Sequence, residues 1–157
     1  MAGRRNANAA LGAEQVQAIA EKLEAKLFHR FENRQLLTQA FIHPSTVSGD
    51  VQSNQRLEFL GDRVLGLVVA EMLHTEYPDE SEGPLARRFA ALVRREALER
   101  IARDLHFGDY LILAKGEEDS GGRENSANLA DACEAVIAAI FVDGGYAVAA
   151  KFITHYW

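Results

Sequence analysis

Two stretches of this sequence carry acids where a buried helix has little use for them. In residues 54–73, NQRLEFLGDRVLGLVVAEML, Glu58 and Asp62 stand four apart beside Leu57, Leu60 and Val64. In residues 127–145, ANLADACEAVIAAIFVDGG, Asp131 and Glu134 stand three apart among Leu129, Val136, Ile137, Ile140 and Phe141. At about 100° per residue, each pair falls within about 60° on its own helix. Two such pairs at one surface repel unless a cation lies between them or one acid keeps its proton. Clustered oxygen donors with no cysteine or histidine set suit a hard divalent ion, Mg²⁺ with Mn²⁺ as a substitute. The chemistry such an ion favours is phosphoryl transfer, by activating water and neutralising charge on the leaving oxygen. The competing reading is plain: an acid on a helix is usually part of a solvated face, and spacing alone leaves the two readings level.

The elements needed to position these acids are all helical. Val16, Ile19, Leu23 and Leu27 give residues 14–27 a helical stripe, and Asn33 is placed to cap a second helix with Leu36, Leu37 and Phe41. His43-Pro44 stops it. A polar loop containing Gly49-Asp50 follows, after which Ser53 or Asn54 caps a long helix reaching Tyr77 and Pro78. Residues 85–105 read as helix with a break near Arg95, and residues 115–125, KGEEDSGGREN, as the one clear loop. Asn125 or Ser126 then caps the second acid-bearing helix, which Gly144-Gly145 ends, and a last helix runs from Tyr146 to Trp157. The expected architecture is one all-α domain over residues 14–157 behind a flexible tail, residues 1–13.

With 157 residues, 48% of them apolar, the chain can bury a real core without a staple. The lone Cys133 excludes an intrachain disulfide, and nothing in residues 1–12 resembles a signal peptide, so a reducing, cytoplasmic setting is expected. The longest apolar run, residues 135–142, is far below the roughly 20 residues that span a bilayer, which predicts no membrane partner. A net charge of −6 argues against general polyanion binding, yet Arg87, Arg88, Arg94, Arg95, Arg100 and Arg103 crowd one segment and leave room for a local basic face. The 115–125 stretch lacks the spacing and preceding strand of a nucleotide-binding P-loop, so no nucleotide cofactor is expected. His43, alone before a proline, reads as structural, and Cys133, between Asp131 and Glu134, reads as a small buried residue on another helix face.

The sequence resembles the ribonuclease III family of double-stranded-RNA endonucleases. RLEFLGDRVL at residues 56–65 is similar to the signature around the family's first two acids, and LADACEAVIAAIFVDGG at residues 129–145 to the region of the other two. LLTQAFIHPS from Leu36, EGPLARRFAALV from Glu82 and KGEEDSGGR from Lys115 add to it in the family's order. The resemblance covers nearly all of residues 14–157.

The resemblance implies a ribonuclease III-like helical endonuclease domain acting as a homodimer on double-stranded RNA, one acid cluster at each end of an interface cleft. It implies hydrolysis that leaves 5'-phosphate and 3'-hydroxyl ends with short 3' overhangs, and roles in rRNA and mRNA processing. Carried over by position, Glu58, Asp131 and Glu134 are metal ligands and Asp62 and Glu134 the catalytic acids. Phe59 takes the place of an aromatic that inserts into the partner subunit; an ordinary core phenylalanine is its rival reading. An A-form duplex is read by shape, phosphates and 2'-hydroxyls, which makes Arg88, Arg95, Lys115 and Arg123 candidate contacts, each set against an ordinary solubilising role.

Four positions depart from the commonest family pattern: Gln55 for a glutamate, Arg63 for a small residue, Phe89 for an arginine and Asn128 for an aliphatic. Asn128, one turn before Asp131, is expected to add a polar ligand to the site. Bacterial members usually continue into a separate RNA-binding domain, whereas this sequence ends at Trp157, as a fragment or a compact member would. The rivals are a catalytically silent, ribonuclease III-like RNA-binding module and an unrelated helical metal protein.

Overall fold

The computed structural model describes residues 13–46 and 52–157. Nearly all of the expected tail and the Gly49-Asp50 turn lie outside the described residues; Ala13, assigned to the tail, instead opens the first helix. Eight α-helices follow in order: α1 Ala13–Leu23, α2 Arg34–Ala40, α3 Gln55–Glu76, α4 Glu82–Val93, α5 Arg95–Asp104, α6 Lys115–Asp119, α7 Ser126–Gly144 and α8 Tyr146–Tyr156. The described residues contain no strand, only a single parallel bridge between Ile42 and Ile112. The all-α class is as the sequence predicts.

Helix α7 is the axis of the fold. It is apolar around most of its circumference, and a helix of that kind must be largely surrounded. Residues 128–130, 132–133 and 135–140 are buried, and α3, α5, α8 and α2 pack around them. Each fully buried Val or Ile there contributes roughly 1.5–3 kcal/mol over leaving it in water. Of the two candidate caps, Asn125 starts α7, its Oδ1 accepting from the N–H groups of Ala127 (2.9 Å) and Asn128 (3.1 Å). Gly145 ends it at φ +83°, a backbone position that side-chain-bearing residues rarely take.

The α3–α7 contact is unusually close because Gly61 stands at the crossing. A Cβ at Gly61 would lie 1.8 Å from the carbonyl oxygen of Glu134, so the two backbones touch where both helices carry their acids. Further along α3, the Phe89 ring of α4 covers Gly66; this is the use the fold makes of an aromatic at that position.

Local differences from the expected elements have physical causes. Helix α1 ends at Leu23, and Leu27 packs into the core from a turn. Asn54 occupies the N-cap position of α3 but turns its buried amide to the carbonyl of Ala40, 3.3 Å away, so it clamps α2 to α3 instead of capping. The break in the 85–105 stretch falls at Arg94, whose extended ψ of 159° separates α4 from α5. The segment expected to be a loop, residues 115–125, forms α6 and the 3-10 turn Gly122–Glu124. At the far end of α7, the Asp143 carboxylate accepts from the N–H groups of Glu32 and Asn33 and from His29, fixing the entry to α2.

Candidate active site

The helical spacings deliver the two acid pairs to one place. Buried Leu57, Gly61 and Val64 pin α3 against α7, leaving Glu58 and Asp62 at the rim of that stripe. Buried Ala130 and Cys133 do the same on α7 for Asp131 and Glu134. One carboxylate oxygen each from Glu58, Asp131 and Glu134 lies within 4.8 Å of the others. Asp62 stands outside this trio, half exposed and paired with Arg63 at 3.1 Å. The four acids line a concavity of about 390 Å³ together with Phe59, Arg63, Val93, Arg95, Leu98 and Ala130.

The electrostatics are those of acids held together against repulsion. Burial, then the charges of Asp62, Glu58 and Asp131, push the Glu134 carboxyl up to about 8. Burial and the neighbouring charges of Asp131 and Asp62 raise Glu58 as well. Burial raises Asp131, an effect that the positive field of Arg95 only partly offsets. Three hard oxygen donors whose negative charge is this poorly compensated fit a divalent cation. Cys133 is fully buried and its thiol is pushed far up by desolvation, which excludes it from the ligand set.

Of the four expected RNA contacts, only Arg95 lines the concavity. Arg88 is held by Glu80 through two hydrogen bonds of 2.8 and 2.9 Å and lies over the Tyr77 ring. Arg123 donates to Glu118 and to the carbonyls of Gly108 (3.0 Å) and Leu111 (2.7 Å), the duties of a structural cross-tie. Lys115 is exposed at the start of α6 and does not line the concavity. The basic segment is also less basic than its sequence suggests, because Arg94 and Arg103 pair with Glu96, and with Glu99 and Glu124.

Phe59 is 63% exposed, which removes the core reading. Arg63 spans the outer face of α3 beside it: its guanidinium lies 3.8 Å from the Phe59 ring centroid, and its Nη1 donates to the Phe59 carbonyl and to Asp62. The site role expected of Asn128 does not survive. Asn128 does not line the concavity, and its buried amide is bonded to His43, Glu117 and Gly122 instead. Sequence reasoning missed that His43 is its partner; the available signal was a polar residue on an otherwise apolar helix stripe.

A profile of the family described as Ribonuclease-III-like matches residues 33–157. The chain belongs to that family. Among Ribonuclease-III-like relatives, the Ribonuclease 3 of Azorhizobium caulinodans is 49% identical over 138 residues, covering 86% of this chain and 59% of the relative. That of Anaplasma phagocytophilum is 46% identical over 144 residues, covering 92% and 61%. The chain therefore spans about three fifths of the length of the curated relatives it matches. A solved nuclease domain of ribonuclease III from Campylobacter jejuni superposes with a TM-score of 0.82 at 39% identity, covering 87% of this chain and 94% of that one. The fold is thus that of Ribonuclease-III-like nuclease domains, and its acidic group could bind a metal ion. Among the described residues no helix is long and apolar enough to cross a membrane.

Proposed function

We propose that residues 14–157 form the catalytic domain of an endoribonuclease that hydrolyses phosphodiester bonds in double-stranded RNA. The observation that carries this reading is the trio of Glu58, Asp131 and Glu134 oxygens within 4.8 Å, set by the Gly61 crossing at the floor of an open concavity. Glu58, Asp131 and Glu134 would hold Mg²⁺, or Mn²⁺ in its place. When bound, such an ion lowers the pKa of a coordinated water and offsets charge on the departing 3'-oxygen. Water adds to phosphorus, the P–O3' bond breaks, and 5'-phosphate and 3'-hydroxyl ends result.

The chain's own residues supply the rest. Asp62, at the edge of the trio and paired with Arg63, accepts a hydrogen bond or a proton from a water held in the concavity. Arg95 gives the acidic floor a positive wall on which a backbone phosphate can rest. Phe59, exposed beside the acids, inserts into a second copy of the chain, so that a homodimer carries two clusters, one for each strand. A relative's nuclease domain has a region described as involved in dimer formation. With a net charge of −6, duplex binding by this domain is weak and falls steeply with added salt. A reducing cytoplasmic setting suits its single buried thiol.

The test is Mg²⁺-dependent cleavage of a long perfect RNA duplex at low salt, with single-stranded RNA and Glu134→Gln as controls. Duplex-specific fragments that vanish in the variant are expected. Full activity in Glu134→Gln would overturn the acid assignment, and duplex binding without cleavage would favour a silent RNA-binding module.

A further inference from the structure

Helix α6 is five residues long and has no buried residue of its own. A helix so short is not stable alone, so outside contacts must hold it. Its link to the acid-bearing helix is polar and runs through Asn128 of α7, which is 8% exposed. Asn128 Nδ2 donates to Glu117 Oε1 of α6 (2.9 Å) and to the carbonyl of Gly122 (3.1 Å). Its Oδ1 lies 3.1 Å from His43 Nε2.

The protonation of this chain of bonds can be read off. The backbone N–H of Ser45 donates to His43 Nδ1 at 3.0 Å, so Nδ1 is the acceptor and the ring proton sits on Nε2, where it donates to Asn128 Oδ1. That fixes the amide orientation, since both remaining partners of Nδ2 are acceptors. Ser45 Oγ closes the far side: it accepts from the N–H of Ala114 at 3.0 Å, directly before Lys115. Residues 114–122 are therefore held at one end by Ser45 and, at Glu117 and Gly122, by the buried Asn128 amide, one turn before Asp131.

We propose that Asn128 is a positioning residue for duplex binding: with His43 and Ser45 it latches residues 114–122 to the helix bearing Asp131 and Glu134, which holds Lys115 at a fixed place for a backbone phosphate. The consequence for RNA rests on the function proposed above; the latch itself does not. Asn128→Leu keeps the branched shape of the side chain and removes its three hydrogen bonds. Ser45→Ala removes the Oγ bonds to the Ala114 N–H and to His43 Nδ1 without touching a buried group.

The experiment is amide hydrogen exchange on RNA-free protein, followed by steady-state cleavage of a short duplex. In Asn128→Leu, peptides within 114–122 should exchange about tenfold faster or more while those of α3 keep their protection. KM for duplex should rise about fivefold while kcat stays within about twofold, the pattern of lost binding and not of lost chemistry. Unchanged exchange in 114–122 would overturn the latch, and faster exchange with unchanged KM would overturn its role toward RNA. A fall in kcat at constant KM would also overturn it, placing Asn128 with the acids. Should Asn128→Leu not fold, Ser45→Ala decides: it must speed exchange at 114–116 and raise KM, and failure to do so sinks the proposal. A wild-type protein that cuts no duplex would defeat the proposed function, while the exchange rates would still judge the latch.

Discussion

Gly61 rests against the backbone carbonyl of Glu134, and that contact sets the distance between the acids of α3 and those of α7. A Cβ at position 61 would be 1.8 Å from the Glu134 oxygen and 2.5 Å from its carbon. Backbone cannot swing aside as a side chain can, so Gly61→Ala must separate the helices. The expected cost is about 3 kcal/mol, the upper end for overpacking a dense interior. For a domain of this size that lowers Tm by roughly 10 °C. The spread of the trio should weaken Mg²⁺ stabilisation in the same variant. Thermal melts with and without Mg²⁺ check both; a melt like that of the wild type would mean the crossing tolerates a methyl.

The acid cluster gives the metal-free protein a defined pH response. Glu134 is pushed up to about 8 from an ordinary 4.5, and Glu58 and Asp131 are raised too. Between those pH values the folded state keeps a proton that the unfolded chain has lost. The native state then binds more protons, and stability falls as pH rises through the window. Mg²⁺ competes with that proton, so its stabilising increment should be larger at about pH 8.5 than at about pH 5.5. Glu134→Gln should flatten the metal-free profile. Equal Mg²⁺ increments at both pH values would show that the ion does not bind at these carboxyls.

What the sequence discloses here depends on how local the cause is. The acid pairs were legible because i, i+3 and i, i+4 spacing fixes a helix face, and the Asn125 cap because it acts on its own next turn. The use of Asn54 was not legible, since its amide ignores the adjacent helix start for a carbonyl fourteen residues back. Asn128 misled for the same reason: its neighbour Asp131 suggested a ligand, while its bonding partner His43 lies 85 residues away. The arginines show the limit most clearly. Arg95 and Arg88 look alike in sequence, and only folding reveals that Glu80 and Tyr77 occupy one of them.

That difference predicts opposite phenotypes for two arginines. Arg95→Gln removes a positive group from the wall of the acid concavity, so duplex binding should weaken and the slope of log affinity against log salt should shrink by about 1. Arg123→Lys keeps the charge but cannot reproduce the fork to Glu118 and the carbonyls of Gly108 and Leu111. It should lose about 1–2 kcal/mol of stability and leave the salt slope alone. Salt titrations of duplex binding beside urea melts separate the two; a reduced salt slope in Arg123→Lys would return that residue to the RNA-binding surface.

Phe59 offers the sharpest separation of folding from assembly. A ring 63% exposed contributes little to the monomer, so Phe59→Ala should change unfolding of isolated protomers by no more than about 0.5 kcal/mol. An aromatic anchor buried in a partner is worth about 2–4 kcal/mol, which weakens a dimer by roughly 30- to 1,000-fold. The Arg63 guanidinium already lies over one face of the ring, so Phe59 would enter the partner as a pre-set unit with its charge held beside Asp62. Sedimentation of the wild type and of Phe59→Ala across a concentration series reads this directly. A variant that dimerises as tightly as the wild type would place the interface on some other face and leave exposed Phe59 to serve the acid concavity alone.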